Sequence, residues 1–138
     1  MGGSVCVIIP SVDNSTELGI AIDGLLNQTY SDISVVVVGP ESDSGKDVAD
    51  LKGVRFIDDK GSKTRADACN VALEQTESEF VFFTDDDVIV PKNWVSNLVR
   101  WFEREDVSGV GGPNFAPPEE STLWQRVIDV TFCSTIFT

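Results

Sequence analysis

Short, continuous apolar runs alternate along this chain with segments of helical periodicity. Residues 5–9 and 33–38 are rich in Val and Ile, and residues 80–83 read Phe-Val-Phe-Phe. Runs of this length without polar alternation are typical of strands buried on both faces of a parallel sheet. Residues 54–57 form a fourth and shorter run. The pattern therefore predicts four strands separated by helices.

The segments between these runs have the spacing of amphipathic helices. Leu18, Ile22 and Leu25 recur at helical spacing behind a capping residue at Asn14 or Ser15. Pro91 suits the first position of a later helix. We also predict a polar loop over residues 42–46 and helices over 47–51, 62–76 and 123–137. Residues 107–112 are predicted to form a strand or a turn. The helix after Pro91 should carry an apolar stripe made of Trp94, Leu98, Trp101 and Phe102.

This alternation predicts an α/β fold with a Rossmann-like, mostly parallel sheet. Right-handed crossovers place the carboxyl ends of all parallel strands at one edge of the sheet. Ligands of such sheets bind just beyond that edge. The segments expected there are residues 10–14, 39–45, 58–65 and 85–87.

Composition excludes several classes of function. The 138 residues carry 10 Lys and Arg against 23 Asp and Glu, a net charge of −13, so no nucleic-acid partner is expected. We interpret most of this charge as a solubility surface, of a kind also suited to high salt. His is absent from the sequence, which excludes a Ser-His-Asp triad and imidazole ligands.

Cys6, Cys69 and Cys133 are isolated, which favours a reducing, cytoplasmic location over a disulfide scaffold. No apolar run reaches the length of a membrane span, so any membrane contact would be at the cytoplasmic face. The apolar segment 127–138 ends abruptly, and we expect the chain to stop before the natural end of its domain. Residues 127–137 would then favour self-association.

Three consecutive aspartates, Asp85, Asp86 and Asp87, directly follow the Phe-rich run. Like charges this close repel one another, and a divalent cation such as Mg²⁺ or Mn²⁺ would relieve the repulsion because hard cations prefer carboxylate oxygens. The cation would bridge to a diphosphate. The alternative is a solvated turn or helix start, where Asp is also favourable.

Several motifs follow one another along the chain. They are Val-Ile-Ile-Pro ending at Pro10, Ala68-Cys69-Asn70, Phe82-Phe83-Thr84-Asp85-Asp86-Asp87, residues 91–94, and Gly109-Val110-Gly111-Gly112-Pro113. Their order resembles family 2 glycosyltransferases, which have the GT-A fold with helices on both faces of the sheet. The resemblance covers roughly residues 4–120. It implies a nucleotide-diphospho-sugar-binding part over residues 1–120, followed at 121–138 by the start of the acceptor-side half or a C-terminal helix.

The resemblance also implies a set of site residues. The Asp-x-Asp signature of the family matches Asp85 and Asp87 as ligands of Mg²⁺ or Mn²⁺, and an alternative register uses Asp85 and Asp86. Val12 stands where the family often has an aromatic residue. The implied nucleotide-sugar-binding residues are Pro10, Ser11, Val12, Asp13, Glu41, Lys63, Arg65, Asp85 and Asp86.

Two departures from the family pattern affect the site. The family usually has an Asp pair and Gly-Ser after its second strand, and here Glu41, Asp43 or backbone groups would take that role. Asp58 and Asp59 are interpreted as a solvated turn before Gly61, and the alternative places them near the nucleotide base. The catalytic base of the family comes from the second half of the domain, so none is assigned in this chain, and Glu119 and Glu120 are not assigned to that role.

The implied activity is metal-dependent transfer of a hexosyl group from a UDP-, GDP- or dTDP-sugar to an acceptor hydroxyl, with inversion. The acceptor would be a glycan, a lipid-linked saccharide or another alcohol. A nucleotidyltransferase is an alternative, although such enzymes usually carry a Gly-rich, basic loop after the first strand. The pattern is also compatible with a non-catalytic nucleotide-binding or assembly fragment, and with a receiver-like signalling module that has Asp13 and Asp58 in its acidic pocket.

Overall fold

The computed structural model describes residues 3–13, 15–115 and 122–132. Its described part contains a four-stranded sheet in which every neighbouring pair is parallel. The strand order is β3-β2-β1-β4, so the predicted α/β fold with a parallel sheet is confirmed. The strands are β1 (Val5–Pro10), β2 (Ile33–Gly39), β3 (Arg55–Asp58) and β4 (Phe80–Phe83).

Helices connect successive strands, and the chain divides into two compact units, Met1–Arg100 and Trp101–Thr138. The sheet belongs to the first unit. The helices are α1 (Ser15–Leu26), α2 (Ser44–Lys52), α3 (Arg65–Leu73), α4 (Trp94–Val99), a 3₁₀ turn over Arg100–Glu103, and α5 (Leu123–Phe132).

The core lies on both faces of the sheet. On one face Cys6 and Ile8 of β1 pack with Ala68 and Ala72 of α3. Side chains alternate along a strand, so Val7 and the other odd-numbered residues of β1 point to the opposite face. That face is covered by α1 and α2, which pack against each other and against β2. Burial of Val on both faces explains why these strands lack polar alternation.

The strand register brings the carboxyl ends together. Pro10 pairs with Val38, Gly39 pairs with Asp58, and Ile8 pairs with Phe83. The strands β2 and β3 lie on one side of β1 and β4 lies on the other. The edge beside β1 is therefore the point where the strand order reverses, which is where ligands of open α/β sheets bind.

Two of the predicted helix boundaries are wrong. The helix α2 begins at Ser44 rather than at residue 47, because Gly45 is buried beside Leu18 and belongs to the first turn. Thr64 caps α3, which therefore spans fewer residues than the predicted 62–76.

The region after Pro91 also differs from its prediction. The helix α4 begins at Trp94, after Asn93 as N-cap, and not at Pro91. Its buried residue is Val95, whereas Trp101 of the predicted stripe is 45% exposed. Residues 107–112 contain no strand.

Some predictions concern residues outside the described ranges: Asn14 as a cap, Cys133, Glu119, Glu120 and residues 133–137 of the apolar C-terminal segment. Among the residues that are described, no helix combines the length and the apolarity needed to cross a membrane.

Candidate functional site

A cavity of about 340 Å³ opens at the carboxyl edge of the sheet. Its size lies within the usual range for small-molecule sites. The strands β1, β3 and β4 contribute the segments that follow them, as the position of the edge predicts, and β2 contributes its own last two residues. The wall is formed by residues 10–12 after β1, Val38 and Gly39 of β2, Asp59 and Ser62 after β3, residues 63–65 and Ala68 at the start of α3, and Asp85 and Asp86 after β4.

The acidic triplet is divided by its surroundings. The Asp85 Oδ1 atom forms an ion pair with the Arg65 guanidinium at 2.5 Å. The Asp86 Oδ2 atom accepts a hydrogen bond from the Ser11 hydroxyl at 2.6 Å. Asp87 is exposed and does not belong to the cavity wall. The cavity thus holds the Asp85 and Asp86 pair, which is the second of the two registers that the sequence left open.

The acidic segment is anchored by the residues that flank it. Phe82 at the end of β4 contacts Trp94 at the start of α4 in an edge-to-face arrangement, with ring centroids 5.6 Å apart. The side-chain amide of Gln28 donates to the Pro91 carbonyl at 2.8 Å, and its oxygen accepts from the Val95 N–H at 3.0 Å. These contacts hold both ends of the loop that carries the acids.

The start of α3 supplies the positive charge of the cavity. Lys63 and Arg65 both line the wall, on either side of the N-cap Thr64. The Thr64 hydroxyl oxygen accepts from the Asp67 N–H at 3.1 Å, which fixes the first turn. A helix N-terminus with two flanking cations favours an anion such as phosphate. The described residues show no ion pair for Lys63.

The ends of β1 and β2 approach each other closely. A Cβ atom at Gly39 would lie 2.3 Å from the carbonyl oxygen of Ser11, which is too short for any side chain. The Ser11 N–H donates to the Val38 carbonyl at 3.0 Å. Gly39 therefore permits the approach that seats Ser11 and Val12 in the wall. Val12 is 63% exposed there and presents an apolar surface.

The loop after β1 is tied to the loop after β2 through Asp43. The Asp13 N–H donates to Asp43 Oδ2 at 2.8 Å, and Asp13 has a left-handed backbone with φ of 56°. Burial raises the pKa of the Asp43 carboxyl group, but hydrogen bonds from Asp13 and from the neighbouring Ser44 outweigh burial and lower it below the ordinary value. Glu41 instead pairs with Lys46 at 2.9 Å, outside the cavity wall.

Asp59 was not among the predicted site residues. It is 5% exposed and belongs to the wall, so the interpretation as a solvated turn is wrong for this residue. Its Oδ1 accepts from the Gly61 N–H at 2.9 Å, and its carbonyl accepts from the Ser62 hydroxyl at 2.6 Å. The spacing Asp-x-Gly, which is typical of an Asx-turn, is the sequence signal that points to this structure.

The cavity therefore gathers most of the predicted site residues. It excludes Asp13, which lies next to the wall, and Glu41 and Asp87, which are exposed. Those in the wall are Pro10, Ser11, Val12, Lys63, Arg65, Asp85 and Asp86. Four further wall residues lie in the segments expected at this edge but were not named as site residues: Gly39, Asp59, Ser62 and Thr64. Val38 and Ala68 lie outside those segments.

The donor set fits a divalent cation that a ligand helps to hold. The described residues contain no cluster of three acidic or cysteine side chains arranged to hold a metal on their own. Asp85 and Asp86 supply two carboxylates in one wall. A Mg²⁺ ion is commonly held by one or two carboxylates together with substrate phosphates and water. The chemistry of this wall is thus suited to a cation and a diphosphate bound together.

A family model supports the same interpretation. The model described as glycosyl transferase family 2 matches residues 6–137. The chain belongs to this family. The resemblance seen in the sequence motifs is confirmed, and the fold is the GT-A fold that the motifs implied.

Two relatives show how widely the sequence of this family 2 chain has diverged. It is 24% identical over 127 residues to glycosyltransferase GlyG of Streptococcus pneumoniae, covering 88% of this chain and 42% of that protein. It is 27% identical over 122 residues to the uncharacterized protein y4gI of Sinorhizobium fredii, covering 82% of this chain and 13% of the relative.

Solved structures share the fold. A mannosyltransferase of Pyrobaculum calidifontis, in complex with GDP-Man and Mn²⁺, superposes with a TM-score of 0.73 at 24% identity, over 82% of this chain and 37% of the other. Glucosyl-3-phosphoglycerate synthase of Mycobacterium tuberculosis, in complex with Mn²⁺ and UDP, gives 0.64 at 18% identity, over 73% and 40%. The family 2 chain thus spans less than half the length of these relatives.

Proposed function

We propose that this chain binds the nucleoside diphosphate of a sugar donor and forms the donor half of a family 2 glycosyltransferase. The observation that carries the proposal is the cavity wall in which Asp85 and Asp86 face the cationic start of α3. A wall that contains both carboxylates and cationic side chains suits a diphosphate bound together with a divalent cation.

The residues of the wall then have separate roles. Asp85 and Asp86 would hold Mg²⁺ or Mn²⁺, and a cation bound there would neutralise the diphosphate and stabilise it as a leaving group. Lys63 and Arg65, with the helix N-terminus between them, would bind the remaining phosphate charge. Val12 would pack against the nucleoside. The other metal pair that the resemblance implies, Asp85 and Asp87, stays a prediction. Single substitutions of Asp86 and of Asp87 can distinguish the two pairs.

The transfer itself would be a direct displacement at the anomeric carbon. The acceptor oxygen forms a bond to the anomeric carbon while the bond between that carbon and the diphosphate oxygen breaks. The electron pair of the broken bond leaves with the nucleoside diphosphate. The configuration inverts because attack and departure occur on opposite faces of the sugar. The acceptor proton passes to a base that we place in the acceptor half of the full protein and not in residues 1–120.

The acceptor side of the proposal is coarser. We propose an alcohol acceptor, a glycan or a lipid-linked saccharide, and a cytoplasmic location that includes the cytoplasmic face of a membrane.

Self-association through residues 127–137 is also a proposal. Its support is the part of helix α5 within this segment, where Val127 and Ile128 are 47% and 52% exposed.

Calorimetric titration with UDP, GDP and dTDP, each with Mn²⁺ and with EDTA, tests the proposed function. We expect one diphosphate to bind in the presence of Mn²⁺ and to bind much more weakly in EDTA. Tighter binding of a nucleoside triphosphate, with release of pyrophosphate, would favour the nucleotidyltransferase alternative. Absence of binding by all three diphosphates would contradict a donor site in this chain.

A further inference from the structure

Ser11 connects the end of β1 to the acidic segment after β4. Its side chain is buried, with 3% exposure, and its hydroxyl donates to Asp86 Oδ2 at 2.6 Å. Its N–H donates to the Val38 carbonyl at 3.0 Å. The absence of a side chain at Gly39 allows the Ser11 carbonyl to sit against β2. Main chain and side chain are both fixed, so the hydroxyl offers its proton in one direction.

The consequence falls on the Asp86 carboxylate. A carboxylate on a loop rotates about its side-chain bonds, and binding a cation then costs the entropy of that rotation. A short hydrogen bond from a buried hydroxyl fixes one oxygen and with it the plane of the group. Asp86 also lines the cavity, so this restraint acts on a carboxylate at the proposed metal site. Partners that orient the ligands of a metal in this way contribute strongly to metal affinity.

We propose that Ser11 is a positioning residue that orients Asp86 for the cation of the donor site. The inference rests on the proposed function and deepens it. It changes the role expected for Ser11, which the family resemblance placed among the residues that bind the nucleotide. Ser11 acts through Asp86, whereas its neighbours Pro10 and Val12 are left to line the nucleotide.

A purely structural role makes a different prediction. If the hydroxyl served only to satisfy a buried polar group, its removal would lower stability and leave the metal affinity of the folded protein unchanged. If Ser11 orients Asp86, its removal weakens Mn²⁺ binding in the folded protein.

The experiment is a titration of the full chain with Mn²⁺ in the presence of UDP, GDP or dTDP, with free Mn²⁺ followed by electron paramagnetic resonance. We expect Ser11→Ala to weaken Mn²⁺ binding by about 10- to 100-fold. Ser11→Thr keeps the hydroxyl and should restore most of the affinity. Ser34→Ala is the matched control, since the Ser34 hydroxyl donates to the Val5 carbonyl at 3.3 Å and does not belong to the cavity wall.

A double-mutant cycle with Asp86→Ala completes the test, with thermal melting used to confirm that each variant folds. We expect Ser11→Ala to cause no further loss of Mn²⁺ affinity when Asp86 is already absent. Equal losses in both backgrounds, or wild-type Mn²⁺ affinity in Ser11→Ala, would overturn the inference and leave the donor site standing. Wild-type protein that binds no Mn²⁺ with UDP, GDP or dTDP would overturn the proposed function itself.

Discussion

The Asp43 carboxylate accepts a hydrogen bond from the backbone N–H of Asp13 at 2.8 Å and so joins the loops that follow β1 and β2. Asp13 is held in a left-handed conformation at this point. The contact explains why a buried acid is present beside the cavity although it does not belong to the wall. Asp43 thus fixes the loop after β1 from outside the cavity wall.

Replacing Asp43 by Ala should therefore destabilise the fold. Loss of hydrogen bonds to a charged, buried acceptor costs about 1–3 kcal/mol in the free energy of unfolding at pH 7. Urea unfolding measures this loss. Asp50→Ala, which removes an exposed acid from α2, the helix that Asp43 precedes, is the control and should change the midpoint little. A wild-type midpoint for Asp43→Ala would show that the contact contributes nothing.

The same contact predicts a dependence on pH. The pKa of Asp43 is lower in the folded protein than its ordinary value. Its contribution to stability is therefore present at pH values above the unfolded pKa, about 3.9, and is lost as the pH falls through the folded pKa. We expect the difference in stability between wild type and Asp43→Ala to shrink between pH 6 and pH 3, by urea unfolding at each pH. A constant difference would contradict the assignment.

Gly39 should not tolerate a side chain. A methyl group there would meet the Ser11 carbonyl oxygen at 2.3 Å, so the ends of β1 and β2 must separate. We expect Gly39→Ala to lose about 1–3 kcal/mol of stability, the usual cost of overpacking, and to weaken nucleotide binding as well. Gly109→Ala is the control because a Cβ at Gly109 meets no atom within 4 Å. Equal melting temperatures for the two variants would contradict the close approach.

Arg65 should contribute to binding of the diphosphate but not of the nucleoside. In the unliganded protein its guanidinium pairs with Asp85, and both side chains are half exposed, so the pair itself adds little stability. We expect Arg65→Ala to weaken nucleoside diphosphate binding by roughly 10-fold or more, the value of one charge-assisted hydrogen bond. Calorimetry with the diphosphate and with the matching nucleoside measures the difference.

The control for this prediction is Arg104→Ala. Arg104 bonds Asp106 at 2.8 Å and does not belong to the cavity wall. Its removal changes the net charge by the same amount as removal of Arg65. An equal loss of affinity in both variants would indicate a long-range charge effect and not a contact with the diphosphate.

Much of the fold could be predicted because its signals are local. The apolar runs of β1 and β2 are buried on both faces, so their alternation with helical segments indicated parallel strands and the edge at which Pro10 and Asp85 meet. The start of α2 could not be predicted in this way. Its first turn, at Ser44 and Gly45, is polar or small and is stabilised by packing against Leu18, a contact between distant residues.

The site shows the same division between local and distant signals. The acids after β4 were located from their position at the end of a strand, but the sequence could not show which of them face the cavity. Their different partners, Ser11 for Asp86 and Arg65 for Asp85, come together only in the folded chain. Asp59 was missed because a buried Asx-turn and a solvated one share the same letters. Whether Asp87 joins the metal site stays a prediction.

Asp85 and Asp86 are the residues that we propose to hold the cation of a nucleotide-sugar donor. The most direct measurement is calorimetric titration, in Mn²⁺, of the diphosphate that wild type binds, into Asp86→Ala and Asp87→Ala prepared in parallel. We predict that Asp86→Ala loses the Mn²⁺-dependent part of the affinity and that Asp87→Ala keeps most of it. Loss in Asp87→Ala with wild-type binding in Asp86→Ala would contradict this assignment and place the metal on Asp87.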